Sequence, residues 1–328
     1  MSDVQSFESG GEQYLSHVET VDSLQFCSIE EMQATADAQG WSATYRQLQA
    51  GKLLASSYSG TCGEITLADE FVSRQIEVVG TTPDAHITVV VPITSGGLWM
   101  NGREFNWHGV LCLPSGTEMH GVARENHRVL SMHVPITLLQ MAGLDTCDTW
   151  VRLIGGEVVY TALGDGIGER LKRLMYVAIH EPSPVSEQSD ETSELLSGLN
   201  SAVAISVERK SRATRESVDE KCRVVKRSRE YIEAHLSEPI QIGKVCRCAA
   251  TSISKLERTF RHELQMSPSQ YILTRRLIAA NKALKQDGSG NVHVTEVAMK
   301  HGFNHLGRFA NAYSAHFGEL PSETLGQI

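Results

Sequence analysis

The sequence predicts a two-domain α+β chain: a β-rich N-terminal domain of jelly-roll type with accompanying helices, and an all-α C-terminal domain holding two helix-turn-helix motifs. Three observations predict it. Short β-rich runs separated by turn residues fill residues 52–134. A short helix, a tight turn and a polar-faced second helix occur twice near the C-terminus, at an offset of 53 residues. The charge is also divided. Although the chain carries −9 overall, residues 1–221 hold 15 Lys+Arg against 30 Asp+Glu, and residues 222–328 hold 15 against 9. An acidic part followed by a basic one is the asymmetry of a chain of which only one half meets phosphates.

A length of 328 residues suffices for two domains. The apolar fraction of 41% and charged fraction of 21% are those of an ordinary globular protein. No apolar run approaches the ~20 residues needed to span a bilayer, and the opening MSDVQSFESGGE has the character of neither a signal nor a transit peptide. Seven cysteines without regular spacing fit reduced thiols in a cytoplasmic protein. Cys246 and Cys248 lie two apart, which is not the zinc spacing.

In chain order, residues 1–26 lack periodicity and read as a mobile arm. Ser28-Ile29-Glu30-Glu31 opens a helix that runs to Ala38, with Gly40 as its stop. Trp41, Tyr45 and Leu48 recur at near-helical spacing before Gly51. Strands are expected at Leu53–Ser59, Gly63–Leu67, Phe71–Val79, His86–Pro92, Gly97–Met100, Glu104–Trp107, Val110–Leu113, Glu118–Val122 and Arg128–Val134. Asn101-Gly102 is the favoured pair for a type I′ hairpin. Such a core either only packs or, as a cupin-like roll, holds a small molecule at its mouth. For an effector pocket the candidates are Tyr58, Trp99, Trp107 and His120, with Phe105 beside them, although buried aromatics are also ordinary core filling. His86, His108, His120, His127 and His133 raise the question of a metal enzyme. The His-x-His pair is missing and no carboxylate stands at ligand spacing, so no metal, cofactor or catalytic residue is assigned.

A helical region follows from Pro135 to Met141, and Gly166 to His180 carries an apolar stripe of Ile167, Leu171, Leu174, Met175, Ala178 and Ile179. Residues 185–193 read as a loop, and Glu194 to Glu208 as a further helix. These helices either cover the β domain or form a dimer seam. The first domain is thus placed at 1–209, and 210–221, of which the nearly apolar-free KSRATRESVDE fills 210–220, is read as a linker.

The C-terminal domain, 222–328, opens with a helix from Cys222 to Leu236. The first motif occupies about 240–264, with Ile242 to Ala249 as one helix, Ala250-Thr251 as the turn and Ser252 as N-cap of the next. The second occupies about 294–317, with Gly302 supplying the turn and Asn304 the expected N-cap. Within its second helix Leu306, Phe309, Ala310, Tyr313 and Phe317 are expected to face the core. The offset aligns Leu256 with Phe309, Phe260 with Tyr313 and Pro268 with Pro321, and Ser269 to Leu284 forms a helix linking the two motifs.

Residues 222–328 resemble the AraC/XylS-type bacterial transcription regulators. The resemblance rests on Ala298-x3-Gly302-Phe303-x5-Phe309-x3-Tyr313-x3-Phe317-Gly318-x2-Pro321, with Ser252-x3-Leu256-x3-Phe260, Ser267-Pro268-x2-Tyr271 and Arg276-Leu277-x2-Ala280. The chain departs from the family pattern at Gln265, where Gly is common, and at Cys246, where Ala is common. The N-terminal half is less distinctly similar to the family's sensing domain; Trp41, Tyr45, Leu48 and Gly51-Lys52, with His305-Leu306-Gly307 in the second reading helix, are similar to the branch of the ethanolamine-utilisation activator. The resemblance implies a sequence-specific DNA-binding transcriptional activator, not an enzyme, located in the cytoplasm at the nucleoid. Its expected partners are double-stranded DNA, RNA polymerase, a small-molecule effector and a second copy of the chain, with no membrane. The expected DNA contacts are Ser252, Ser254, Lys255, Arg258 and Arg261 on the first reading helix, and Asn304, His305, Arg308 and Asn311 on the second. Arg308 is the expected base reader, since a guanidinium bonds guanine in bidentate fashion. Two alternatives stand beside this: a cupin-like metal enzyme fused to a DNA-binding module, and a regulator controlled by a partner protein.

Overall fold

The computed structural model describes residues 24–26, 28–38, 42–94, 97–105, 109–162, 165–181, 188–204, 212–286 and 293–326. The N-terminal domain runs β1 (Leu24–Phe26), α1 (Ile29–Ala38), β2 (Ser42–Gln47), β3 (Ala55–Cys62), β4 (Ile65–Val72), β5 (Ile76–Thr81) and β6 (His86–Pro92). It continues with β7 (Leu98–Met100), β8 (Arg103–Phe105), β9 (Gly109–Leu113), β10 (Glu118–Ala123) and β11 (His127–Pro135). Helices α2 (Ile136–Met141) and α3 (Asp148–Ile154), strand β12 (Val159–Ala162) and helices α4 (Asp165–His180) and α5 (Gln188–Ala204) complete it. The strands form a seven-stranded sheet, β1-β3-β4-β11-β6-β9-β12, and a five-stranded sheet, β2-β5-β10-β7-β8.

Side chains alternate along a strand, so two facing sheets create three packing surfaces. Between the sheets, Ala55, Val72, Val90, Leu111 and Leu113 meet Ile76, Leu98, Met100, Met119 and Ala123. On the outer face of the large sheet, Ile65, Leu67, Val89, Leu130 and Met132 are covered by Leu171 and Met175 of α4 and Leu195 and Leu199 of α5. The apolar stripe of α4 therefore covers its own domain. An ion triad pins this helix: Asp69 accepts from Arg128 Nε (2.8 Å) and Nη2 (2.6 Å), and His180 Nε2 lies 2.8 Å from it. On the outer face of the small sheet, Trp99 and Val122, with Leu48, pack against the C-terminal domain.

Several expectations shift. Tyr45 lies on strand β2 rather than a helix, because Ser42–Gln47 pairs along its whole length with β5; Trp41 falls outside the described residues. Strands β1 and β12 were not expected, and at three and four residues they are too short to show alternation. Helix α5 begins at Gln188, inside the expected loop. Asn101 and Gly102 take φ of 47° and 80°, the left-handed pair that a type I′ hairpin requires.

The C-terminal domain comprises α6 (Arg212–Ala234), α7 (Ile242–Cys248), α8 (Ile253–Glu263), α9 (Pro268–Lys285), α10 (Val294–Lys300), α11 (Leu306–Phe317) and α12 (Pro321–Leu325). Helix α6 starts within the stretch read as a linker, which lacks Gly and Pro and is rich in good helix formers. The first motif packs Val245, Leu256, Phe260 and Leu264 against Val224, Val225 and Ile232 of α6 and Tyr271 of α9. The second packs Val297, Ala298, Phe309 and Tyr313 against Leu277, Ala280 and Leu284 of the same α9. One helix thus carries both motifs. Its start is fixed by a capping box, in which Ser267 Oγ accepts the Gln270 N–H (3.1 Å) and Gln270 Oε1 accepts the Ser267 N–H (2.9 Å).

Candidate nucleic-acid interface

In the first motif the chain leaves α7 through Ala250 at φ 50°, and Ser252 Oγ then accepts the Lys255 N–H at 3.3 Å, capping α8 as expected. Leu256 and Phe260 are fully buried, which turns Ser254, Arg258 and Arg261 to solvent. Lys255 is half-buried and paired with Glu220 of α6, and Arg261 Nε lies 3.6 Å from Glu257. Lys221 and His262 join Lys255, Arg258 and Glu220 around one recess. Lys221 was hidden by the linker reading; it faces this recess because α6 continues through it. Gln265 takes φ 56°, the conformation that glycine, common here in the resembling family, adopts at no cost.

In the second motif Gly302 takes φ 78°, which favours glycine, and a Cβ there would stand 2.9 Å from the Arg276 guanidinium and displace it. Arg276 Nε donates to Leu236 O (3.0 Å) and its Nη1 to Gly302 O (3.4 Å), tying the turn of the second motif to the turn that follows α6. Two expectations for α11 need correction. Asn304 is exposed and does not cap: His305 is the N-cap residue, with φ −127°, ψ 101° and no side-chain cap bond. Leu306 is 42% exposed rather than core; Phe303 instead meets Phe309 at a ring distance of 4.7 Å. Phe309 and Tyr313 are buried as expected, and the Tyr313 hydroxyl accepts from Asn281 Nδ2 (2.6 Å) and lies 2.8 Å from Thr324 Oγ1. These fixed faces leave His305, Arg308 and Asn311 exposed together with Asn304.

Residues 245–327 match the family model described as a helix-turn-helix domain. A XylDLEGF operon transcriptional activator of Pseudomonas putida is 39% identical over 99 residues, 30% of each chain. A probable thc operon regulatory protein of Rhodococcus erythropolis is 33% identical over 105 residues, 32% of each. Among solved structures, a probable AraC family transcriptional regulator from Rhodopseudomonas palustris is 36% identical, covering 32% of this chain and 95% of that one, with a TM-score of 0.30. The C-terminal domain is an AraC-type helix-turn-helix domain. The chain spans about a third of the length of the curated relatives it matches.

The AraC-type domain is held to the β domain at a buried polar centre. Glu77 of β5 is 0% exposed and accepts from the Tyr271 hydroxyl, 3.1 Å from each carboxylate oxygen. Arg229 Nε and His120 Nε2 each lie 2.9 Å from it and Arg46 Nη1 3.4 Å. Burial opposes the charge of Glu77, but His120, Arg229 and Arg46 together hold its carboxyl far below the usual range. Elsewhere between the domains Gln75 Nε2 donates to Leu264 O (2.9 Å) in the first motif, and Gly51 N to His316 O (2.8 Å) in the second. The β domain therefore contacts both motifs.

Of the three expected effector residues that are described, Trp99 and His120 lie together and Tyr58 lies on the other sheet. Tyr58 lies on the outer face of the large sheet, edge-on to His180 of α4. Trp99 and His120 lie on the outer face of the small sheet, their rings 4.9 Å apart, against the AraC-type domain. Trp107 falls outside the described residues. A one-residue change of register exchanges the faces of a strand, and residue type does not reveal which face looks inward. Polar residues that face inward include Glu70, His127, Ser131 and His133, and none of them was assigned to the pocket. Among the described residues, no group of three or more His, Cys, Asp and Glu is arranged to hold a metal ion, and no helix is long and apolar enough to cross a membrane.

Proposed function

We propose that the whole chain is a sequence-specific DNA-binding transcriptional activator, acting in the cytoplasm as a dimer and recruiting RNA polymerase in response to a small molecule. The observation that carries this reading is the pair of equivalently built helices on one rigid carrier: α8 and α11 bury matching residues against α9 and keep polar faces exposed. Two such helices joined rigidly meet successive major-groove segments about one helical turn apart, ~10 bp. The relatives described as operon activators support the direction of regulation.

In this reading Arg308 and Asn311 read base edges on one half-site, Arg258 and Ser254 on the other, and Lys255 and Arg261 meet phosphates. Asn304 and His305 approach the backbone at the start of α11, and Ser252 does so at its cap. The signal from the N-terminal domain travels through the small sheet. Val78 faces the interior of the sandwich while its neighbour Glu77 faces the AraC-type domain, so a ligand that moves β5 acts on both surfaces at once.

The test is selection of binding sites from a pool of random duplexes by the full-length protein, followed by gel-shift titration. Enrichment of a site with two half-sites about one turn apart is the expected result. Arg308→Ala should erase preference at one base position, a loss of ~1–3 kcal/mol of discrimination. Recovery of no sequence preference would overturn the reading.

A further inference from the structure

The duplicated motif repeats a feature that neither core packing nor capping explains. Among the described residues of the AraC-type domain, the exposed large hydrophobic side chains are Ile253, Leu273, Met299, Leu306 and Leu320. The 53-residue offset superposes one pair of them, Ile253 on Leu306, which are 57% and 42% exposed. It sets Met299 on the buried Cys246, Leu273 on Gly326 and Leu320 on Ser267. A lone exposed aliphatic residue is ordinary on a protein surface; the same exposure at the same place in both copies is a pattern. Both residues open their helices, Ile253 after the N-cap Ser252 and Leu306 after the N-cap His305. Neither belongs to the packed clusters of the domain. Side chains on a helix tilt toward its N-terminus, so at the first position they project past the helix end.

The residue that follows adds a second observation. Ile253 precedes Ser254 and Leu306 precedes Gly307, both exposed. Gly307 lies inside α11, its φ is not in the left-handed region, and a Cβ on it would meet nothing within 4 Å. Neither backbone conformation nor packing within the chain calls for glycine there, and glycine inside a helix is less stable than alanine. What the missing side chain does allow is close approach of the helix to another molecule. Third in each copy stands a cation, Lys255 or Arg308. Each reading helix thus opens on the same triplet of a large aliphatic, a small and a basic residue. The basic residue, and the excess of 15 Lys+Arg over 9 Asp+Glu from 222 onward, make the molecule approached a polyanion. On the major-groove edge of duplex DNA the apolar group is the C5 methyl of thymine.

We propose that Ile253 and Leu306 are thymine readers, each seating its side chain against a C5 methyl in its own half-site, while Ser254 and Gly307 keep the start of each helix thin enough for that contact. The proposal rests on the DNA-binding reading and deepens it by naming two further specificity residues and the base each selects. Because the two helices are equivalently built on α9, the two thymines stand about one helical turn apart, ~10 bp. A methyl carries no charge, so these contacts add sequence preference without adding to the salt dependence that phosphate contacts create.

The experiment starts from the site that the full-length protein selects out of random duplexes. In gel-shift titrations each thymine of that site is replaced in turn by deoxyuridine, which removes the methyl and keeps every hydrogen-bonding group. The expected result is one sensitive thymine per half-site, each replacement weakening binding about fourfold, or ~0.8 kcal/mol for one methyl. Leu306→Ala should bind the thymine and deoxyuridine duplexes equally at one of these positions, and Ile253→Ala at the other, with the salt dependence of binding unchanged. Leu306→Met should keep the discrimination. Gly307→Leu should weaken binding to the selected site by about tenfold or more, while its melting temperature stays at or above the parent's because leucine is the better helix former. Insensitivity of every thymine to deoxyuridine, discrimination that survives both alanine substitutions, or full affinity in Gly307→Leu would each overturn the proposal. Each of those results leaves a selected site in place, so none counts against the regulator reading; selection that enriches no site would overturn both.

Discussion

Glu70 and Glu77 are seven residues apart, on consecutive strands, and their surroundings are opposite. Glu77 faces out of the sandwich into the domain interface, where Tyr271, Arg229, His120 and Arg46 converge on it. Glu70 faces into the sandwich, half-buried, and among the described residues it meets no cation. Burial penalises both charges, yet one carboxyl is held far below its ordinary range and the other is pushed up to about 7. The difference shows that burial alone does not decide an acid's state; the partners brought by neighbouring elements do. At Glu77 the satisfied acid joins the two domains.

Four changes would break or sharpen this contrast. The largest effect is expected from Glu77→Ala, which leaves the Arg229 guanidinium and the Tyr271 hydroxyl buried without their acceptor. Stability measured by urea denaturation should fall by about 3–5 kcal/mol, and limited proteolysis should release the two domains from each other. A loss below about 1 kcal/mol would show that the interface rests on Trp99, Val122 and Leu48 instead. Next, Tyr313→Phe removes the acceptor of Asn281 and the partner of Thr324, and should cost about 1–3 kcal/mol while leaving the Glu77 centre intact.

The pH dependence should carry opposite signs for the two acids. For Glu77 the folded state holds the proton less tightly than the unfolded chain, so its contribution is present at neutral pH and is lost as pH falls below the ordinary carboxylate value of 4.5. For Glu70 the folded state holds the proton more tightly, so stability falls as pH rises from 4.5 to about 7. Glu70→Gln should flatten only the second slope, in melting curves recorded from pH 4 to 8; persistence of that slope would assign it to another group. The smallest effect on stability is expected from Arg308→Ala, within about 0.5 kcal/mol as for an exposed side chain, although its effect on sequence preference should be large.

The two domains differed in how much of them the sequence disclosed. Helices α7, α8, α10 and α11 follow from local signals: the Ser252 cap, the Gly302 turn, and the spacing of Leu256 and Phe260, Phe309 and Tyr313. Such signals act within a few residues along the chain, and a repeat states them twice. Their limits are visible at Asn304 and Leu306: the helix starts one residue later than its expected cap, and its first residue is exposed. In the β domain most strand segments were legible, but which sheet each joined was not. The register of β2 against β5, read as near-helical spacing, depends on a partner some thirty residues on.

The sequence by itself determined the duplicated helix-turn-helix, its scaffold residues and the polar faces left exposed, because helix periodicity and capping are local. Only the tertiary structure decided that Tyr58 and Trp99 lie on outer faces of opposite sheets, that Glu77 meets Arg229 and Tyr271, and that Glu70, Ser131 and His127 share an interior. Alternation along a strand gives two faces of equal standing. Which one becomes the inside is set by the sheets and helices that cover it, and those come from distant parts of the chain.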